Sequence, residues 1–389
     1  MISICRYTQN KQTEWDAFVK VSKNGTFLFL RAYMDYHSDR FTDHSLMYYN
    51  EKGKLIAIMP ANGPSKSPLK GDLTRGEAVS ATNSDLTHGE GDPVLAPSFL
   101  KGDLTHGEAV SATNSDFTLS EADPALASSP FKGEKRGSTL YTHQGLTYGG
   151  FILSPRVHST EIGELFDITI KYLRENGFSE WYYKQMPSIY HQLPSEDDEY
   201  WLWRNGAQLN VCNLATTVPL NDIRTKLIDK CRMRRQRQAA QYGFHIDNNG
   251  SLDTIWTIIQ ESLMAHHKAS PIHTLDEMKL LCSRLPEYIQ TLTVKDCDGN
   301  DLAGAVLYCS DQVVHVQYAH ATLKGYDLHV MDYLYFALID KFQKEGKYKY
   351  FDFGTSNEDA GRFLNENLVA QKEGFGGRGI AYKIWKIEV

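Results

Sequence analysis

The chain lacks the marks of several large protein classes. Its six cysteines (Cys5, Cys212, Cys231, Cys282, Cys297 and Cys309) are scattered, with no C-x-x-C pair. That argues against a zinc ribbon or a disulfide framework and fits a reducing compartment. No apolar run approaches the roughly 18 residues of a membrane-spanning helix. The opening MISICRYTQNKQTEWD has neither the basic nor the apolar region of a secretory signal, so the expected location is the cytoplasm. Excess positive charge is absent too: 41 Lys and Arg against 48 Asp and Glu leave −7. The surface as a whole repels polyanions, and only a local patch would bind them. HHKASPIH (His266 to His273) has no carboxylate or cysteine framework beside it, so no metal site is expected.

A phosphate-cradling fingerprint is missing as well. That motif runs strand, glycine loop, helix. The glycines of EGFGGRG (Glu373 to Gly379) come after a predicted helix and before a predicted strand.

What is present suffices for a folded core. The chain has 389 residues, of which 41% are hydrophobic and 12% aromatic, including 22 Tyr. This length suggests two or three domains, and the aromatics favour packed sheets or aromatic-lined grooves.

One stretch stands apart. LKGDLTRGEAVSATNSDL begins at Leu69 and LKGDLTHGEAVSATNSDF at Leu100, 31 residues later; FKGE at Phe131 opens a third, truncated copy. Each copy is poor in large apolar residues and shows neither a 2.0 nor a 3.6 period. Two full copies are too few to stack a solenoid core. Residues 64–136 therefore read as a low-complexity, flexible excursion from a hairpin tip between the strands LIAIMPAN and STLYTHQG, where long additions cost little entropy.

The remaining chain reads as two α/β parts, residues 1–210 and 211–389. In the second, a basic helix over Asp222–Tyr242 and helices over Leu252–Lys268 and Leu275–Leu285 precede a meander at Ile289–Lys295, Leu302–Ser310 and Gln312–His320. A helix at Val330–Glu345, a strand at Tyr348–Phe353, a helix at Asp359–Lys372 and a strand at Ile380–Ile387 complete it. LFDITIKYLRENGFSEWYY (from Leu165) matches LYFALIDKFQKEGKYKYFD (from Leu334) in pattern: an amphipathic helix, a glycine stop and an aromatic strand.

Three stretches carry a family resemblance: KCRMRRQRQAAQYGFHI (Lys230 to Ile246), KYKYFDFGTS (Lys347 to Ser356) and LVAQKEGFGGRG (Leu368 to Gly379). With this order of elements they resemble the FemAB-like branch of the GNAT acyltransferase superfamily. The resemblance implies a mixed α/β (α+β) fold of two tandem GNAT-like domains with mainly antiparallel sheets. It also implies a bacterial-type enzyme that moves an acyl or aminoacyl group onto an amine, such as that of a cell-wall precursor, by direct attack. No permanent cofactor is implied; the co-substrate is acyl-CoA or aminoacyl-tRNA. ATLKGYDLHV (Ala321 to Val330) departs from the glycine-rich turn of ordinary acetyl-CoA enzymes, which leaves the donor open. Two alternatives stand beside this reading: an acetyl-CoA enzyme for an amino sugar, lipid head group or polyamine, and a non-catalytic nucleic-acid or partner-binding module.

The resemblance marks Lys372 as a residue near the transferred acyl group. Asp352, His320 and Glu358 are the candidate proton acceptors, since an attacking amine must be neutral. The backbone near Tyr318, the helix start at Leu328, His329 and Val330, and Arg378 are candidates for holding the donor. Arg234 and Arg235 are candidates for phosphate binding, including that of a tRNA. His143, Gln144 and Tyr148, in a glycine-rich loop, are candidates for acceptor contacts.

Overall fold

A computed structural model of the chain describes residues 2–63, 138–267 and 270–389. The repeat insert and its reading as a flexible excursion lie outside the described residues.

The chain opens with β1 (Ser3–Arg6), α1 (Gln12–Val21), α2 (Arg31–Met34), β2 (Leu46–Tyr49) and β3 (Leu55–Met59). Then come β4 (Ser138–Tyr141), β5 (Ile152–Leu153), α3 (Ser159–Glu175), β6 (Phe178–Lys184), α4 (Asp197–Arg204) and β7 (Gln208–Pro219). Next are α5 (Lys230–Ala239), β8 (His245–Asp247), α6 (Leu252–His267), α7 (Leu275–Arg284), β9 (Ile289–Lys295), β10 (Asp301–Cys309) and β11 (Val313–Ala321). The last elements are α8 (Leu323–Asp327), α9 (Val330–Glu345), β12 (Tyr350–Thr355), β13 (Asn357–Glu358), β14 (Phe363–Leu364), α10 (Glu366–Glu373) and β15 (Arg378–Glu388).

Two sheets carry the fold. A four-stranded sheet has the order β1-β2-β3-β5, and a nine-stranded sheet the order β4-β6-β15-β7-β12-β11-β10-β9-β8. Both are mixed or antiparallel; in the large sheet only β4 with β6 and β11 with β12 run parallel. The C-terminal strand β15 lies between β6 and β7, so strands from early and late sequence share one sheet. Position 210/211, the boundary expected between the two parts, falls inside β7.

The two helix-glycine-strand units seen in the sequence are present. Gly177 (φ 77°) ends α3 before β6, and Gly346 (φ 66°) ends α9 before β12. Only glycine takes that left-handed stop without a Cβ penalty. The α3 residues Ile162, Leu165, Phe166 and Leu173 are buried at helical spacing and pack toward Trp181 and Tyr183 of β6. The strands flanking the insert meet where Asn62 and Tyr141 exchange both backbone hydrogen bonds at 3.0 Å. Beyond that pair β3 and β4 part into different sheets.

Early and late sequence also share a core. Phe27 stacks on Tyr288 at 5.0 Å and meets Tyr308 edge-on at 5.4 Å. Arg40 pairs with Glu277 at 2.6 Å across the same seam.

Two helices differ from expectation. The basic helix predicted over Asp222–Tyr242 is interrupted: a short 3-10 turn at Arg224–Lys226 is followed by extended Asp229, and α5 starts only after it. Ile228 bridges to Phe375 there, and this sheet-like contact takes the backbone out of helical geometry. The helix predicted from Asp359 starts at Glu366 instead, with Asn365 accepting from the Leu368 N–H at 3.0 Å as its cap. The preceding residues form the β13–β14 hairpin, with Asp359 (φ 48°), Ala360 (φ 50°) and Gly361 (φ 89°) all left-handed. A left-handed alanine costs about 1 kcal/mol or more relative to glycine. Ala360→Gly is therefore expected to raise stability by about 0.5 kcal/mol or more, after its extra unfolded-state entropy is deducted. Urea unfolding midpoints of the two proteins check this.

Candidate active site

The large sheet opens at one place. β11 and β12 pair in parallel at Val313–Tyr350, Val314–Phe351 and His315–Asp352, and there the pairing stops. Two backbone irregularities cause the split. On β12, Gly354 takes φ 73°, and the register against β7 is broken between Asp352 and Thr355. On β11, the register against β10 jumps from Tyr318 to Val316, leaving Gln317 as a bulge. A bulge bends its strand and removes one residue from the ladder. The result is a wedge with His315 and Asp352 at its apex.

Asp352 is fully buried and saturated with donors. Thr217 Oγ1 (3.0 Å) and the Gly354 N–H (3.1 Å) donate to Oδ1. His315 Nδ1 (2.8 Å), Tyr382 OH (2.8 Å) and Tyr190 OH (3.3 Å) surround Oδ2. Burial alone would raise this carboxyl; the bonds from His315, Tyr382 and Gly354, with the nearby imidazole charge, outweigh it and hold the group below its usual range. Asp352 is thus an ionised acceptor with its oxygens occupied.

Lys372, near the end of α10, is 1% exposed. Its Nζ donates to the carbonyls of Gly354 (3.0 Å) and Thr355 (2.7 Å), the two residues that follow Asp352 closely on β12. Burial pushes this amine down to about 7, against the pull of the Asp352 charge. A lysine so placed exchanges protons near neutrality, a property of working lysines.

Cross-strand partners form one row: His315 on β11, Asp352 on β12, Thr217 on β7 and Arg378 on β15. Side chains of such partners share a face of the sheet. Arg378 is exposed at the end of the row, and its Nη1 reaches the Gly377 carbonyl.

A small groove lies over the apex, between early and late sequence. Phe27, Leu28, Tyr148, Tyr190, Tyr308 and His315 line it, and it is tight, with about 10 Å³ of enclosed volume, about one water's worth. Tyr148 packs on Tyr190 with ring centres 4.5 Å apart. Lys184 Nζ donates to the Gln144 and Leu146 carbonyls and so fixes the loop that carries Tyr148.

The structure gathers some expected residues and disperses others. Asp352, Lys372 and Tyr148 converge on the apex or its groove. Leu328, His329 and Val330, at the start of α9, lie beside α5: Arg232 pairs with Asp332 at 2.9 Å, and the charges of Arg235 and Arg234 reach His329. Arg234 and Arg235 make no ion pair among the described residues. His320 is some 15 Å from His315 along the strand; its Nδ1 faces Ser262 of α6 at 3.0 Å. Glu358 is exposed on the β13–β14 hairpin. Tyr318 turns its hydroxyl to His273 Nδ1 at 2.8 Å. His143, left-handed at φ 69°, stacks on His37, and Gln144 bonds the amide of Asn62. Both support the loop and stand behind the groove lining.

Sequence reading missed His315, Thr217, Tyr190 and Tyr382. The alternation of VVHVQYAHA shows that His315 faces one side of its strand. Nothing local shows that β12 would align Asp352 opposite it.

Comparisons with known proteins agree with this geometry. Residues 228–362 match the family model described as an acetyltransferase (GNAT) domain. FemX shares the fold over the whole of this chain and 97% of its own, with a TM-score of 0.61 at 10% identity. A tandem GNAT protein from the clavulanic acid biosynthesis pathway covers the whole chain with 98% of its own, at a TM-score of 0.49 and 8% identity. No curated protein sequence matches. The split sheet lies within and beside the matched domain, so residues 228–362 carry a GNAT-type acetyltransferase domain, and the chain as a whole shares its fold with FemX. Among the described residues, no helix is long and apolar enough to cross a membrane.

Proposed function

We propose that the enzyme transfers an acyl group from a thioester, acyl-CoA, to the amine of a small acceptor by direct attack at the wedge apex. The single observation that carries this reading is the end of β11–β12 pairing at His315 and Asp352, with buried Lys372 beside it. A thioester entering the wedge would place its carbonyl beside the Gln317 bulge, whose backbone is out of the ladder. A backbone N–H aimed at the developing oxyanion there is worth a few kcal/mol. The start of α9, with Arg234 and Arg235 nearby, suits the donor's phosphates. The tight groove lined by Tyr148 and Tyr190 opens on His315 and would admit at most the amine end of the acceptor, for which the FemAB resemblance suggests a cell-wall precursor. In this reading Lys372 positions the apex by tying the Gly354 and Thr355 carbonyls of β12.

A second reading, with aminoacyl-tRNA as donor, is favoured by α5. Arg234, Arg235 and Arg237 lie within one turn of each other on a helix with no acidic residue. Calorimetric titration with CoA separates the two. Micromolar binding, weakened about tenfold in the Arg234→Glu/Arg235→Glu double variant, is the expected result. Silence toward CoA together with salt-dependent binding of aminoacyl-tRNA moves the assignment to the second reading, and silence toward both sinks the donor site.

A further inference from the structure

We infer that His315 is the catalytic base that takes the proton from the attacking amine, a role that rests on the acyl-transfer reading. Asp352 is an ionised carboxylate and has no proton to give. The 2.8 Å contact at Nδ1 must therefore be an Nδ1–H donated to Oδ2. In the neutral ring this leaves the lone pair on Nε2. His315 is 15% exposed, lines the groove and has no protein partner at Nε2 among the described residues. It is also the last β11 residue paired before the strands separate. The groove and the wedge thus meet at this nitrogen.

The support behind the ring is rigid. Asp352 is itself held by Thr217, Tyr382 and the Gly354 N–H, so the imidazole has one orientation. The other titratable groups are less suited. Lys372 spends its donors on two carbonyls, His320 faces α6, and Glu358 is on the exposed hairpin. In the reaction the amine nitrogen bonds to the thioester carbonyl carbon and its proton passes to Nε2. The C–S bond then breaks, and the thiolate leaves with the electron pair.

The test uses the full chain, acetyl-CoA and a panel of small primary amines (ethanolamine, propylamine, glucosamine), following CoA release across pH. His315→Gln is expected to lower kcat/KM by about 10²–10⁴-fold, to erase the acid limb of the pH profile, and to melt like the parent. In His315→Gly, added imidazole should restore transfer, which a merely structural residue would not allow. If His315→Gln keeps its rate within about threefold and retains the acid limb, the base role is overturned while acyl transfer stands. If the parent enzyme acetylates none of the amines, acyl transfer from CoA is overturned, and the ring is judged by its ¹⁵N resonances. A proton on Nε2 then overturns the base role, and a bare Nε2 beside a protonated Nδ1 sustains it.

Discussion

Lys372→Met is expected to cost at least about 10²-fold in acyl transfer, the scale of a misplaced reaction geometry once the Gly354 and Thr355 carbonyls are released, and to reshape the dependence of stability on pH. Burial lowers the folded-state amine to about 7 from 10.5. Between those values the unfolded chain holds a proton that the folded chain has released, so stability rises with pH at about 1.4 kcal/mol per unit. The contribution is complete above the unfolded value and is lost as pH falls through 7. Methionine has no such ionisation, so the variant's stability should be flatter than the parent's from pH 7 to 10. The variant also leaves the Gly354 and Thr355 carbonyls without their donor, at about 1–3 kcal/mol each. Below pH 7 the parent carries a buried cation, and removing it offsets part of that loss. Denaturant titrations at several pH values, with circular dichroism to verify the fold, provide the measurement. A variant with full activity, or with the parent's alkaline rise intact, would refute the assignment.

The second large effect belongs to Asp352→Asn. Five donors converge on this carboxylate in a dry site. An amide turns one acceptor into a donor that faces other donors, a change worth about 3–5 kcal/mol in buried settings. For a protein of this size that is roughly 4–6 °C in Tm. Because the folded carboxyl is held below its usual range, its stabilisation is present above the unfolded value and disappears as pH falls through the folded one. The acid limb of unfolding should therefore be shallower in the asparagine variant. His315 also loses its orienting partner, so acyl transfer should fall with stability intact enough to measure at low temperature. An asparagine variant as stable as the parent would mean that Asp352 does not anchor the apex.

Much of this architecture was legible beforehand because it rests on local rules. The α9 span was predicted to the residue, since its apolar spacing and the glycine at 346 are both local signals. The meander strands β9, β10 and β11 were within a residue or so for the same reason. The start of α10 was misplaced because the left-handed run at Asp359 and Ala360 contradicts their residue types; the hairpin's contacts, such as Asn357 Oδ1 with the Leu214 N–H, impose it. The break before α5 has a similar origin in the Ile228–Phe375 bridge.

The candidate site divides along the same line. Asp352 and Lys372 were picked out because the short motifs KYKYFDFGTS and LVAQKEGFGGRG that contain them resemble those of a family. His315 was not, and neither were Tyr190 and Tyr382, which come from distant segments. The sequence by itself determined most of the elements, since these depend on side-chain periodicity and local backbone preference, while the class of chemistry and the candidates Asp352 and Lys372 came from its resemblance to a family. The tertiary structure alone decided that His315 stands opposite Asp352 and that the strands part just beyond them. Register between strands far apart in the chain is a collective result of packing on both faces of the sheet, and no local segment encodes it.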